Sequence, residues 1–592
     1  MKRVLSLLLI AAMFLGGLSA VAETAKTGAM SHTVEKRDVP LYVYWQNEPE
    51  SRISLYFLDG VEDLPYVDLK EFTGHLGKWI TENETDFVWY EDEEIGVCSI
   101  TYQPDNSILL FDFEDQNVTY TSFDTFGKQP GKTLLDVVSF SGWNSVTGEP
   151  ELFQRLDASS MERKGSPQTI PLGEYAIPMV WQDGMYLIPL HTASELTINL
   201  PIVRMGCYFN GNAVFFGDTS TFVETFTDPL TGEPMQSLTA LGKSLFDCKF
   251  SKRSPQLAEY GFGELCMELD YFYGLKSSHN IDSFRWMMLD SGMDGKLLSE
   301  DPATADTALR DFINFYLDDM HSGFLMVSPM TGYGTKLPEE KFGFSVSADR
   351  FLSTVYGKMC GLAFPEGVPF YQEVGNTAFV TIDHFDILPG VDYYILDPDD
   401  PDCALDTISR IIFANRRIRR EGSPIKNVVL DLSLNSGGRA DAAVFAACWF
   451  LGKANVTSVN TFSGAQATNI YLADTDLNRM FNGDDCLLGE YHLYCLASPE
   501  SFSAGNLLPC LFKTSGLVTL LGDTSGGGSC EMFPMTTAWG TSFSISGNKR
   551  LSFIKNGSVY DIDRGIEPDV IFSRIETFYN REKITEIINS LY

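Results

Sequence analysis

One stretch near the C-terminal end, Leu496–Gly528, limits the fold of this 592-residue chain more than any other. It reads as a short apolar strand, a polar turn that contains Ser503, a helix, a second apolar strand and a glycine cluster. A strand that runs into a helix through a tight turn is typical of α/β folds. Such a turn also exposes the serine hydroxyl beside the unpaired N–H groups of the first helical turn. We therefore predict an α/β core in which Ser503 is a candidate nucleophile.

A second stretch, Val428–Gly438, has a similar order of elements. Its first part is almost continuously apolar, as expected for a strand that is covered on both faces of a parallel sheet. It ends in Asn-Ser-Gly-Gly and is followed by the predicted helix Ala440–Leu451. Glycines after a buried strand let backbone N–H groups approach an anion closely. Gly437 and Gly438, together with Ala504 after the serine, are therefore candidate oxyanion donors.

The N-terminal residues 1–22 have the pattern of a secretory signal peptide. Lys2 and Arg3 precede the apolar run Val4–Leu18, and an Ala-Val-Ala cleavage site precedes Glu23. No later stretch approaches the roughly 20 uninterrupted apolar residues of a membrane span. The formal net charge of -36 argues against nucleic acid or an anionic membrane as a partner. We expect an extracytoplasmic chain, secreted or associated with the cell envelope.

The chain shows no pattern that predicts a metal or a cofactor. Its eleven cysteines form no C-x-x-C pair, so neither a zinc ribbon nor a redox motif is predicted, and their spacing does not define disulfide partners. Ala473–Asp485 places Asp474, Asp476 and Asn478 as in a calcium loop. Because the sixth loop position is Arg479 instead of glycine, we predict a solvated loop there.

Periodicity and composition divide the rest of the chain into regions. The predicted regions are 38–140, 150–235, 236–330 and 370–592. The first two are small α+β modules, because each contains an extended piece with a proline followed by a short helix. Both resemble the N-terminal modules of copper amine oxidase-like stalk domains, which implies binding or presentation rather than chemistry. The third region is helical, and residues 324–372 are expected to be irregular, as a loop or a lid over a cleft.

The order of the motifs resembles the S41 family of serine peptidases, which includes C-terminal processing and tricorn-type proteases. The motifs are His321 in DDMHSGF, DLSLNSGG, SAGN, GDTSGGG and RGIEPD, in that order. They cover about residues 250–575. The resemblance implies a ClpP/crotonase-like core, with a twisted sheet and flanking helices, in the C-terminal region. It also implies Ser503 as the nucleophile, a polypeptide substrate and no cofactor.

A serine nucleophile needs a base that takes its proton, and the sequence offers two positions to consider. One catalytic style of the S41 family uses a lysine after the strand that follows the serine, but that position is Gly527 here. No lysine lies between Lys513 and Lys549. The tricorn-like style uses a histidine from the segment before the core, and His321 matches it. A neutral imidazole can take the serine proton during attack and return it to the leaving amine.

The third catalytic group and the activity itself stay open at this point. The resemblance places a carboxylate shortly before the Gly-Ile-x-Pro-Asp motif, where Asp561 and Asp563 both qualify. Met320 occupies the position of a tricorn-like serine, and His384 is expected to be structural. The first hypothesis is a secreted serine endopeptidase with a Ser-His pair. The alternative is a catalytically degenerate protein that binds peptides or cell-envelope material. The sequence predicts no oligomeric state.

Overall fold

The computed structural model describes residues 31–43, 51–81, 83–138, 152–156, 160–201, 205–227, 234–388 and 390–592. The expected signal peptide at 1–22 lies outside these residues. Within them, no helix combines the length and apolarity needed to cross a membrane. All eleven cysteines belong to the described part of the chain, and all are free thiols. The chain is a mixed α/β protein, as the sequence predicts.

The sheet next to the candidate nucleophile has six strands, and we call it the catalytic sheet. Its strands in spatial order are Tyr371–Val374, Thr377–Thr381, Asn427–Asp431, His492–Ala497, Thr519–Gly522 and Val570–Ile571. The first strand is antiparallel to its neighbour, and the other five are parallel. Parallel strands need crossovers that cover both faces, which explains their continuous apolar runs.

Helices cover both faces of the catalytic sheet. One face packs against Thr407–Arg419, Ala440–Leu451 and Ala504–Ser515. The other face packs against Phe344–Ala363, Ile575–Tyr579 and Arg581–Asn589. Val428 and Leu430 point to the first face and Val429 to the second, because successive strand residues alternate. Residues 324–372 are therefore not simply irregular, since 344–363 form a 20-residue helix.

A second sheet is antiparallel, and most of its strands come from the same part of the sequence as the catalytic sheet. Its main strands are Gly323–Met326, Ser542–Ser552, Ala454–Asn460, Gln466–Ala473 and Phe153–Arg155, with Cys530–Thr536 and Ser160–Arg163 as additional partners. Phe153–Arg155 and Ser160–Arg163 both pair with Gln466–Ala473. The N-terminal half of the chain thus contributes two strands to a sheet whose other strands come from the C-terminal half.

The N-terminal half contains two further sheets. Two separate hairpins, one in each half of the chain, also occur among the described residues. The seven-stranded N-terminal sheet has the order Val180–Gln182, Met185–Pro189, Pro65–Asp68, Ser51–Leu58, Val34–Val43, Val214–Gly217 and Gly206–Phe209. The five-stranded sheet has the order Gln168–Pro171, Asn117–Tyr120, Ser107–Asp112, Val97–Tyr102 and Phe87–Asp92. The hairpins are Val223–Thr227 with Pro234–Leu238, and Ile554–Lys555 with Ser558–Val559.

The two predicted modules, 38–140 and 150–235, share one sheet in the structure. In the seven-stranded sheet, the three strands of the first range lie between two pairs of strands of the second range, and Pro65–Asp68 pairs directly with Met185–Pro189. Each of these two strands leads into a helix, Leu69–Leu76 or Leu190–Ser194, that continues as a π-helical turn. The two similar phrases in the sequence are therefore neighbours within one unit, since neither can bury its apolar face alone.

Residues 236–330 are helical, with one strand at the end. The helices are Ala240–Phe246, Pro255–Phe272, Phe284–Ser291, Asp294–Leu297 and Pro302–Asp311, followed by the π-helical segment Phe312–Leu317. Short helical turns elsewhere are Leu172–Tyr175, Thr219–Phe222, Pro401–Cys403, Gly483–Asp485 and Ile562–Arg564. Pro255–Phe272 is buried along most of its length and links the N-terminal sheets to the second sheet.

Candidate active site

Ser503 lies on a strained elbow between a strand and a helix. It directly precedes the helix Ala504–Ser515 and has φ 56° and ψ −121°, a conformation that non-glycine residues rarely adopt. Such strain costs about 1–3 kcal/mol and persists only where the surroundings enforce it. Here the Phe502 N–H donates to Asn435 O at 3.0 Å, and the Ser503 N–H donates to Gly527 O at 2.9 Å. The elbow is thus held from both sides by neighbouring loops.

The glycine turn after the buried strand faces this elbow. A Cβ on Gly437 would lie 2.7 Å from Ser503 Cβ, so only glycine fits there. The Gly437 N–H donates to Asn435 Oδ1 at 2.8 Å, and this candidate oxyanion donor is therefore engaged. Within the described residues, the N–H groups of Gly438 and Ala504 donate to no protein acceptor. These two N–H groups remain as the candidate oxyanion donors.

The rest of the SAGN motif fixes the start of the helix. A Cβ on Gly505 would lie 2.3 Å from Asn435 O, so the helix can approach the glycine turn only with glycine at this position. The Asn506 side chain donates to Ile562 O at 2.8 Å and accepts from Ser525 Oγ at 2.7 Å. Asn506 thereby ties the elbow to the glycine cluster and to the C-terminal motif.

His321 lies in a turn that the Asp319 carboxylate organises. This carboxylate accepts from the N–H groups of His321 at 3.1 Å and Ser322 at 3.0 Å. It also accepts from the hydroxyls of Tyr273 and Ser546, each at 2.8 Å. The turn is therefore anchored to the helical segment and to the second sheet. Asp319 was not predicted as a site residue, although its place two residues before the histidine is typical of a turn-forming Asp.

The structure brings His321 and Ser503 to the same cavity, which has a volume of about 670 Å³. The imidazole packs on the ring of Phe502, with centroids 4.7 Å apart. No hydrogen bond joins the imidazole to the Ser503 hydroxyl in the described structure. Burial lowers the pKa of His321, while the carboxylates of Asp319, Asp563 and then Glu531 act in the opposite direction. The imidazole is thus neutral at neutral pH, the form that a general base requires.

The two candidate acids have different surroundings. Asp561 is paired with Arg550 at 2.7 Å and is half exposed. Asp563 accepts from the N–H and Oγ of Ser529 at 2.9 and 3.0 Å. It lines a second cavity together with His321, and its charge acts on the imidazole. Asp563 is therefore the better placed of the two to stabilise an imidazolium.

The glycine cluster explains why no lysine serves this serine. A Cβ on Gly527 would lie 2.0 Å from Asp563 O, and the residue has φ 86°. Gly526 and Gly528 are equally confined, since their Cβ atoms would lie 2.2 Å from Pro499 O and 2.5 Å from the Phe502 ring. The position where a lysine would stand therefore admits no side chain without rearrangement of the turn.

The remaining walls of the cavity come from the helix Phe344–Ala363 and from loops at the carboxyl ends of the strands. The lining residues include Met320, Asp349, Ser353, His384, Ser436 and Glu500. Ser353 Oγ donates to the Glu500 carboxylate. His384 is exposed and lines the cavity, so it faces solvent and cleft rather than the core. The helix takes the place in which the sequence predicted a loop or lid.

Comparison with solved structures finds weak likenesses. The photosystem II D1 C-terminal processing protease matches at 16% identity over 35% of this chain and 47% of its own, with a TM-score of 0.25. Mature CPAF complexed with lactacystin matches at 11% over 57% and 97%, with a TM-score of 0.36. The tricorn protease matches at 10% over 86% and 59%, with a TM-score of 0.30. The chain thus spans less than half of the D1 protease, and scores this low support no argument about activity.

The family comparison is more specific. No curated protein matches the chain. The model of peptidase family S41 matches residues 407–572. This range contains the glycine turn, the Ser503 elbow and Asp563, whereas His321 precedes it. The family resemblance of the motif order is thereby confirmed for residues 407–572, which match the model of peptidase family S41.

Proposed function

We propose that the chain is a serine endopeptidase that hydrolyses polypeptides through an acyl-enzyme, with Ser503 as nucleophile and His321 as base. One observation carries this proposal. The strained elbow presents the serine beside two unengaged N–H groups, those of Gly438 and Ala504, within an S41 core. Strain of this kind is maintained where function requires it.

In the acylation step, Ser503 Oγ attacks the scissile carbonyl carbon and the His321 imidazole takes the hydroxyl proton. The carbonyl oxygen becomes an oxyanion that accepts from the N–H groups of Gly438 and Ala504. Donors of this type lower the barrier because they are already oriented; losing one typically costs about a hundred- to a thousandfold in rate. The hydrogen bond between imidazole and hydroxyl is expected to form when substrate binds, since such contacts are often loose in free enzymes.

The tetrahedral species then collapses as the C–N bond breaks, and the imidazolium gives its proton to the leaving amine. A water molecule attacks the acyl-enzyme with the imidazole again as base, which releases the second product and restores Ser503. The imidazolium formed in both steps is stabilised by Asp563 and Asp319, whose charges already act on His321.

The proposed substrate is a polypeptide, and the proposed location is extracytoplasmic. The S41 match supports a peptide substrate. The N-terminal signal pattern supports export, with cleavage between Ala22 and Glu23. Mass spectrometry of the N-terminus of protein recovered outside the cytoplasm checks this. A mature chain that still begins at Met1 contradicts it.

The activity is tested with purified mature protein, an unfolded protein substrate such as β-casein, and a fluorophosphonate label. Ser503→Ala is expected to abolish both cleavage and labelling. Ser515→Ala is the matched control, because Ser515 Oγ contacts only backbone groups at the end of the same helix: it donates to Phe512 O and accepts from the Leu517 N–H. Wild-type protein that neither cleaves nor labels contradicts the proposal.

His321→Gln separates the endopeptidase from the degenerate alternative. Loss of a general base is expected to lower kcat by about a hundred- to ten-thousandfold while the protein remains folded. A protein that only binds peptides has no hydrolytic activity to lose, so the rate of casein cleavage would be the same background rate in wild type, His321→Gln and Ser503→Ala. Circular dichroism of each variant serves as the control for folding.

A further inference from the structure

Four ionisable side chains meet in the interior, far from solvent and outside the candidate active site. They are His191, Glu195, Glu264 and Glu268. Glu195 and Glu268 are 0% exposed, and the side chains of Glu264 and His191 are 1% and 7% exposed. Ligand atoms of His191, Glu264 and Glu268 all lie within 4.8 Å of one another. Charged side chains are almost never fully buried unless they are paired or bound to a metal.

The sequence arranges these residues in two pairs with helical spacing. His191 and Glu195 are four residues apart in the helix and π-helical turn after Met185–Pro189. Glu264 and Glu268 are four residues apart in Pro255–Phe272. Residues at this spacing share one face of a helix, so each pair projects from one face of its element toward the other pair. The sequence predicted no metal site, because the two pairs lie in segments that are far apart in the chain.

The cluster contains polar atoms that have no partner. Neither carboxylate oxygen of Glu268 has a hydrogen-bond partner in the described structure, and Oε1 of Glu195 has none. A bare carboxylate in such a place is very unfavourable. Protonation removes the charge but leaves an O–H group without an acceptor, which also costs about 1–3 kcal/mol. A bound cation would satisfy both the charge and the lone pairs.

Outer groups orient the ligands as they do in known metal sites. Glu264 Oε1 accepts from Tyr260 OH at 2.7 Å and from Thr192 Oγ1 at 2.5 Å, which leaves Oε2 facing His191 Nδ1 at 2.8 Å. The other imidazole nitrogen, Nε2, is 3.0 Å from Thr536 Oγ1. A metal-bound histidine typically donates its second N–H to such an acceptor, which fixes its tautomer.

We propose that His191 Nδ1, Glu264 and Glu268 bind a divalent transition-metal ion. An imidazole with two carboxylates suits Zn²⁺, Mn²⁺ or Fe²⁺ and disfavours Ca²⁺ and Mg²⁺, which prefer oxygen ligands alone. The two carboxylates balance the ionic charge. Metal–ligand bonds to such a set of ligands are about 2.0–2.2 Å long.

The site would have a structural role. His191 belongs to the N-terminal unit, Glu264 and Glu268 to the helical segment, and Thr536 to the second sheet. An ion at their junction would fasten these three parts together, and its binding free energy would add to their stability. Because the ligands are buried, the ion would enter during folding and leave only on unfolding.

Metal content of the mature full-length protein tests the proposal. Protein produced in zinc-supplemented medium and dialysed against EDTA while folded is expected to contain about one zinc per chain. Unfolding in denaturant should release the zinc, and refolding with Zn²⁺ or Mn²⁺ should restore one ion. Wild-type protein that holds no ion after production and after refolding with either ion overturns the proposal.

Glu268→Gln removes a ligand and keeps the shape, so its metal content is expected to fall at least tenfold. Asp476→Asn is the matched control at the other acidic group, formed with Asp474 and Asp485, and should retain the ion. Loss of the ion from Asp476→Asn but not from Glu268→Gln contradicts the assignment. Should Glu268→Gln not fold, wild type refolded with Co²⁺ decides, because a nitrogen-ligated ion gives visible absorption and an empty site gives none.

Discussion

Gly527 offers a sharp test of how the elbow is held. Its carbonyl accepts from the Ser503 N–H, and its Cα packs against the turn that carries Asp563. In Gly527→Ala, the new Cβ would lie 2.0 Å from Asp563 O. The contact cannot be relieved by a side chain, because the opposing atom belongs to the backbone. Either the elbow or the Asp563 turn must move.

The size of the effect follows from this contact. An ordinary carbon–oxygen contact is more than 1 Å longer than 2.0 Å, so a displacement of about 1 Å is needed. A misplacement of about 1 Å in a catalytic site can cost about a hundredfold in rate. The positive φ of 86° adds about 1–2 kcal/mol of backbone strain for alanine, and crowding adds about 1–3 kcal/mol. We expect kcat/KM to fall about a hundredfold or more, with a destabilisation of about 2–5 kcal/mol.

Gly464→Ala separates the contact from the strain. Gly464 has φ 74°, and its added Cβ would meet nothing within 4 Å. This variant should lose about 1–2 kcal/mol and keep its activity within about twofold. Casein hydrolysis and the rate of fluorophosphonate labelling measure the activity, and urea denaturation measures the stability. The reasoning is refuted if Gly527→Ala labels at the wild-type rate, or if Gly464→Ala loses as much activity.

Two further predictions concern charges near the site and in the core. The Asp563 carboxylate raises the pKa of His321, so Asp563→Asn should lower that pKa and shift the acid limb of the pH profile of kcat/KM to lower pH. Asp561→Asn should leave the limb in place, and a shift of the Asp563→Asn limb to higher pH would contradict the assignment. The Arg581 guanidinium lies 2.7 Å from the buried carboxylate of Asp431. Arg581→Ala leaves this carboxylate without its ion-pair partner, so the free energy of unfolding measured with urea should fall by about 3–5 kcal/mol. Arg574→Ala, at an exposed ion pair, should cost at most about 1 kcal/mol, and equal losses would disprove the argument.

Local patterns in the sequence predicted the α/β core. The α/β core follows from the apolar strands, since strands buried on both faces must lie in a covered sheet. The glycine at 527 excluded a lysine from the sequence alone, and the structure adds the reason, which is the approach of the Asp563 carbonyl. The sequence did not show whether Gly437 or Gly438 supplies the oxyanion donor. In the folded turn, the Gly437 N–H donates to the side chain of Asn435, which leaves the N–H of Gly438.

Long-range packing accounts for what the sequence did not predict. The helix Phe344–Ala363 buries only Tyr356 and Cys360 well, so it has no apolar stripe to reveal it. The interleaving of the N-terminal strands depends on pairing over more than a hundred residues, as between Pro65–Asp68 and Met185–Pro189. The buried glutamates did leave a signal, namely the acidic residues Glu264 and Glu268 four residues apart among the apolar residues of Pro255–Phe272.

The pairing of Phe153–Arg155 and Ser160–Arg163 with Gln466–Ala473 has a consequence for any attempt to isolate the peptidase. A fragment starting after these strands would leave eight residues of alternating burial with an open row of N–H and C=O groups. Open edges of this kind recruit strands from other chains and lead to aggregation. A fragment that stays soluble is therefore expected to retain both of these strands.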